Sequence, residues 1–230
     1  MSEWWTYHLA SFLLFSPHTY GRLIELYNEA IWPGQLVGLA VGIAIGLSLA
    51  RPSAWRTRNA LGLLAACWLW IGFAFLLRRY ATINWAAVEF AWGFGIEAAL
   101  LAVAAFAGHR RCERMDGVPN RLGIALFLFA LVVAPFVAPL LGRGWRRAEV
   151  FGVLPDPTAI ATLGFLLLVR GRGRGVAMIL PVLWCLTTGL TLLAMRWPDS
   201  VVPLAAAGIA VGAAVSQNRR GSRHVSFVSP

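Results

Sequence analysis

Two carboxylates eight residues apart in INWAAVEFAWGFGIE, Glu89 and Glu97, and a third between two prolines in VFGVLPDPTAIATLGFLL, Asp156, stand in text otherwise apolar enough to enter a bilayer. Acids in that setting are the side chains that carry protons or bind cations, because an ionised carboxylate at the centre of a membrane helix costs at least about 2.5 to 3.5 kcal/mol on insertion scales. At 1.5 Å per residue Glu97 lies about 18 Å beyond Trp85, near mid-bilayer, and Glu89 lies roughly 12 Å above it with about 80° of rotation between them. The two are expected on one broad face. Glu97 is then neutralised by a proton, hydrogen-bonded, or facing a polar cavity, and two readings stay open. It is a proton or cation site, or an acid bonded to a neighbouring helix through Thr187, Thr188 or Thr191. Asp156 has a local explanation: Asp at an N-cap with Pro157 at the first helical position is a helix start whose carboxylate accepts a backbone N–H. Thr158 and Thr162 follow on that helix and join Glu89, Glu97 and Asp156 as the expected polar lining.

Other chemistry has no residues to carry it. His8, His18, His109 and His224 all lie outside the apolar runs, so a haem within the bilayer has no pair of histidine ligands. The chain has no lysine, which excludes a retinal Schiff base, and no phosphate-binding glycine loop. Cys67, Cys112 and Cys185 are odd in number and widely spaced, which suits neither a disulfide framework nor a zinc site. No histidine reaches membrane depth to pair with a serine. No catalytic residue, enzyme activity, cofactor or metal is expected. His18, Glu25 and Glu29 share a helix face that could hold a metal, but Arg22 in their midst repels a cation, and a solvated face is the preferred reading.

The elements that must position these residues are membrane spans. Of 230 residues, 59% are hydrophobic and 13% charged, against about 25% charged in soluble domains. The 20 basic residues are all arginines set between apolar runs, so the positive charge reports membrane topology rather than nucleic-acid binding. Seven segments approach the roughly 20 apolar residues a span requires: Ile31 to Leu49, Asn59 to Leu77, Trp85 to Ala107, Leu122 to Leu141, Pro157 to Val169, Val176 to Met195 and Val201 to Ser216. The fifth and seventh are short, so the expected fold is an all-α bundle of six or seven spans. With seven, thirteen arginines fall on one side and seven on the other, which places the N-terminus outside and the C-terminus inside. With six, the tail stays inside and the N-terminus moves.

Ahead of the spans, Ser16 and Pro17 open a helix in SPHTYGRLIELYNEAIWP. Its Tyr20, Leu23, Ile24, Tyr27 and Ile31 recur at helical spacing, the pattern of an amphipathic helix in the membrane interface. Trp4, Trp5 and Trp32 are expected as anchors at headgroup level. Residues 1–30 thus form an interfacial segment, 31–216 the transmembrane domain and 217–230 an arginine-containing tail. In the first span Gly34, Gly38, Gly42 and Gly46 recur every four residues, a groove for close backbone approach. Gly208 and Gly212 of the last span offer a matching stripe, within one chain or across a dimer.

Three stretches, YNEAIWPGQ, INWAAVEFAWGFGIE and VFGVLPDPTAIATLGFLL, resemble the signature stretches of a family of uncharacterised bacterial membrane proteins, sometimes labelled permeases. The resemblance implies a protein of the bacterial inner membrane. The family pattern has Asn-Pro where this chain has Asn84-Trp85, an amide near Glu97, and Pro-Cys-Pro where this chain has Pro155-Asp156-Pro157. An amide there favours hydrogen bonding over charge at Glu97, and aspartate between the prolines removes thiol chemistry. Two functions are expected: a small permease-like transporter of a small solute or ion, or a non-catalytic membrane subunit or assembly factor docking a protein partner. Membrane lipids surround either one, and no nucleic acid is involved.

Overall fold

The computed structural model describes residues 15–51, 53–106, 111–112, 117–171 and 173–226. Trp4 and Trp5 lie outside them. The chain is an all-helical bundle. Helix α1 (Pro17–Ala30) begins as the sequence reading expects, with Ser16 capping through its hydroxyl, which accepts from the Thr19 N–H at 3.1 Å. At Trp32–Pro33 the chain turns 87° into α2 (Gly34–Ala50). Helix α3 (Ala54–Trp70) continues as a π-helical stretch, Ile71–Leu77, and α4 covers Ala87–Phe106. Helix α5 (Val118–Leu128) passes through a second π-helical stretch, Phe129–Val133, into α6 (Ala134–Leu140). Helices α7 (Pro155–Leu168), α8 (Arg174–Ala194) and α9 (Val201–Ser226) complete the bundle. Helix α9 runs ten residues past the expected end of the last span, so the expected tail is largely its continuation.

Five of these helical units are long and apolar enough to cross a membrane, or six if the bent α1–α2 pair counts as one, and α7 is a shorter apolar helix. Every residue of α7 is buried, so neighbouring helices surround it on all sides. At its far end Val169–Arg170 (β2) pairs antiparallel with Arg111–Cys112 (β1), the segment that follows α4. Gln217 of α9 donates to the Leu167 carbonyl at 3.1 Å, satisfying an acceptor that the end of α7 would leave orphaned.

The apolar face of α1 meets protein rather than lipid. Tyr20 stacks with Phe15 and lies edge-on to Tyr80, and the buried Tyr27 hydroxyl donates to the Val153 carbonyl at 3.2 Å. Its polar face is not merely solvated. Glu25 pairs with Arg147 at 2.6 Å and Glu29 with Arg146 at 2.9 Å, which ties the helix to the turn after α6.

The glycine groove of α2 receives the loop backbone around Phe151 at Gly38, and side chains of the α5–α6 unit at Gly42 and Gly46. A Cβ on Gly38 would run into the Phe151 carbonyl, and one on Gly42 would collide with Leu131 and Phe151. Gly152, at φ +75°, comes so close that its own Cβ would lie 3.2 Å from the Gly38 Cα. Gly46 meets Phe127, while Gly34 has only Ile31 nearby. Within the chain α9 does not match this groove: a Cβ on Gly208 or Gly212 would meet nothing within 4 Å, because those positions face away from packed neighbours. Close backbone contact falls instead between α5 and α7, where a Cβ on Gly164 would stand 2.5 Å from the Gly123 carbonyl.

Candidate functional site

The loop from Ala148 to Leu154 carries Val150, Phe151, Val153 and Leu154, all buried. So apolar a connection does not stay in water; it folds down against Gly38 and Gly42, and α7 therefore starts below the bundle surface. Thr158 fixes this entry. Its hydroxyl accepts from the Gly152 N–H and donates to the Leu154 carbonyl, both at 2.8 Å. Thr162, one turn on, donates to the Thr158 carbonyl at 2.7 Å and accepts from the Trp68 indole at 3.0 Å. Both threonines are completely buried, and they stitch the structure rather than line a cavity.

Asp156 is not a helix cap. The N-cap is Leu154, with no side-chain cap bond, and Pro155 and Pro157 contribute no N–H to be capped. The carboxylate turns away from its own helix toward α8, where it accepts from the Trp184 indole N–H at 2.7 Å and the Thr188 hydroxyl at 3.0 Å. Hydrogen bonds to a charged acceptor are worth about 1.5 to 3 kcal/mol each, which is how an acid is kept in this interior.

Asp156 also lines a cavity of about 30 Å³, with Glu149 from the descending loop, Asp199 from the turn before α9 and Arg143 from the turn after α6. Ala134, Val137, Ile160 and Leu192 are among its apolar walls. A space of that size admits one water-sized occupant. Arg143 forms an ion pair with Asp199 Oδ2 and lies 4.3 Å over the Trp197 ring. That leaves Arg143 Nε and Asp199 Oδ1 buried without a hydrogen-bond partner. The chamber thus gathers three carboxylates against one guanidinium, and the Tyr20 hydroxyl is within electrostatic reach of all three acids.

That imbalance shows at Glu149. Burial pushes its carboxyl well above the ordinary carboxylate range, Asp156 and Asp199 push the same way, and Arg143 pulls back. Glu149 as a residue is half-buried. An acid whose folded-state pKa is raised supports the fold at low pH and withdraws that support as pH rises through the folded-state value. The melting temperature of the solubilised protein is therefore expected to fall as pH climbs above the ordinary carboxylate range. Glu149→Gln should flatten the decline. An unchanged slope in that variant would mean that burial in the fold does not raise the Glu149 carboxyl.

The structure separates the two acids of α4. Glu89 is exposed in the first turn, where a negative charge suits the helix dipole, and it lines nothing. Glu97 is completely buried and both its carboxylate oxygens lack a partner. The threonines that could have served it are engaged elsewhere: Thr188 with Asp156, and Thr191 with the Thr187 carbonyl. Phe94, one turn before Glu97, packs at 4.3 Å on Trp68 and 5.0 Å on Trp184, which puts aromatic rings along the path toward Asp156.

Glu149, Asp199 and Arg143 escaped sequence reading because they sit in connections, which ordinarily face water. The available signal was the run EVFGVLPDP, where a loop is too apolar to stay outside.

A model of a family of unknown function, DUF6064, matches residues 18–225. The chain belongs to the DUF6064 family. The matched region contains the whole chamber, from Tyr20 to Asp199, so the site lies within the family's shared extent. No curated protein and no solved structure matches the chain.

Proposed function

We propose that this DUF6064 protein is a small permease-like protein of the bacterial inner membrane that moves an ion, with the chamber around Asp156 as its site. The observation that carries this reading is the aim of Asp156. Its carboxylate is held by α8 rather than by its own helix start, and it faces a small space shared with Glu149, Asp199 and Arg143. Buried acids in membrane proteins are costly, and they characteristically mark ion and proton paths. Of a small solute or an ion, the room for one water-sized occupant favours the ion.

The end of α7 lies beside the segment after α4, which supports the seven-segment orientation. By the arginine count the C-terminus is then cytoplasmic and the chamber opens toward the periplasmic half.

The test is flux in liposomes. Purified protein is expected to dissipate an imposed proton or alkali-cation gradient faster than protein-free vesicles. If purification at native expression instead yields a stoichiometric partner, and the isolated protein moves nothing, the non-transporting subunit is the better reading.

A further inference from the structure

A second site lies apart from the chamber, between α1–α2 and the turn after α6. It is a groove of about 570 Å³. Its floor is apolar, with Leu36, Leu39, Pro135 and Val150, and Trp32 and Trp145 stand on it, 66% and 65% exposed. Exposed tryptophans where an interfacial helix bends into a span mark headgroup level. Its polar end holds Asn28, Gln35 and the Glu29–Arg146 ion pair, both of whose ends remain open to solvent.

Two acceptors at the polar end have no donor. The Asn28 amide nitrogen donates to the Arg146 and Ala148 carbonyls at 2.9 and 3.0 Å, so this side chain, 8% exposed, cannot rotate to seek another partner. The Gln35 nitrogen is likewise committed to the Asn28 carbonyl at 2.7 Å. Both side-chain carbonyl oxygens, Asn28 Oδ1 and Gln35 Oε1, are left buried without a donor. A buried acceptor left unmade is expensive, so the groove suits an occupant that brings N–H groups.

We propose that this groove binds a phospholipid with a primary-ammonium headgroup. The ammonium supplies donors to Asn28, Gln35 and the Glu29 carboxylate, the phosphate lies against the Arg146 guanidinium, and an acyl chain covers Leu36, Leu39 and Val150. The alternation of Glu29 and Arg146 complements a zwitterion, whereas a purely anionic lipid leaves Glu29 and both amide oxygens without a positive donor. This site is independent of whether the chamber moves ions.

The experiment compares phosphatidylethanolamine with phosphatidylcholine, its trimethylated counterpart that has no N–H, and with phosphatidylglycerol, by native mass spectrometry and melting of the detergent-solubilised protein. Phosphatidylethanolamine is expected to be retained preferentially by about tenfold and to raise the melting temperature most, since one hydrogen bond regained is of that order. Leu39→Trp, which fills the apolar floor, should abolish retention. Gln35→Leu, which removes one acceptor, should narrow the preference over phosphatidylcholine while leaving acyl-chain binding. Equal retention of all three lipids, or full retention by Leu39→Trp, would overturn the proposal. So would a dimer with no bound lipid, which would assign the groove to a second copy of the chain.

Discussion

Gly164→Val is expected to abolish a monodisperse, folded protein in detergent, whereas Gly62→Val should purify and melt like the wild type. A Cβ at Gly164 would stand 2.5 Å from the Gly123 carbonyl and 2.7 Å from the Phe127 nitrogen, and both are backbone atoms of α5 that cannot step aside. Overpacking an ordinary core costs about 1 to 3 kcal/mol because side chains can shift, so this substitution should exceed that range. The same Cβ at Gly62 meets nothing within 4 Å. Size-exclusion profiles and thermal melts of the two variants check the pair. A stable Gly164→Val protein would show that α5 and α7 do not cross at these glycines. Gly38→Leu belongs to the same class, since its obstacle is the Phe151 carbonyl, but the loop that carries Phe151 has more freedom to move than a helix.

Asp156→Asn is expected to remove ion flux by at least about tenfold while leaving the melting temperature close to that of the wild type. The amide oxygen can still accept one of the two hydrogen bonds that Trp184 and Thr188 now donate to separate oxygens. Its nitrogen can donate to the Thr188 hydroxyl, which accepts as readily as it donates, so both contacts survive while the charge is lost. Asp156→Leu is the contrast: it orphans both donors and should lower the melting temperature clearly. Flux that persists in Asp156→Asn, with melting unchanged, would reduce the carboxylate to a strut between α7 and α8. Loss of flux in both variants with melting lost only in the leucine form is the outcome that the ion reading requires.

Much of the fold was legible because membrane insertion writes itself into the sequence as long apolar runs, and each of the seven runs corresponds to a helix. Helix α1 was equally plain, since Ser16, Pro17 and the Tyr20–Leu23–Ile24–Tyr27 spacing are local signals. What periodicity could not supply was partnership. Four glycines at regular intervals in α2 advertise a groove but not what fills it. The tighter crossing depends on Gly123 and Gly164, single glycines on different helices with no repeat to mark them. Asp156 was read as a cap because capping is the commonest local use of that residue type. Its true partners, Trp184 and Thr188, lie 28 and 32 residues away, and only the tertiary arrangement reveals them. Glu89 and Glu97 were placed together by helical geometry, which fixes rotation but not which face finds protein.

The complete enclosure of α7 constrains how the protein is made. As the nascent chain emerges, this helix is too short to span comfortably alone, and an unpaired acid in its first turn adds a further cost against leaving the translocon for lipid. The two groups that neutralise that penalty arrive only with α8. Biogenesis therefore has to retain α7 until its successor is synthesised and release the two as a hairpin, with Trp184 and Thr188 already on the Asp156 carboxylate. The acid that faces the chamber in the finished protein is, during synthesis, the feature that makes two helices insert as one.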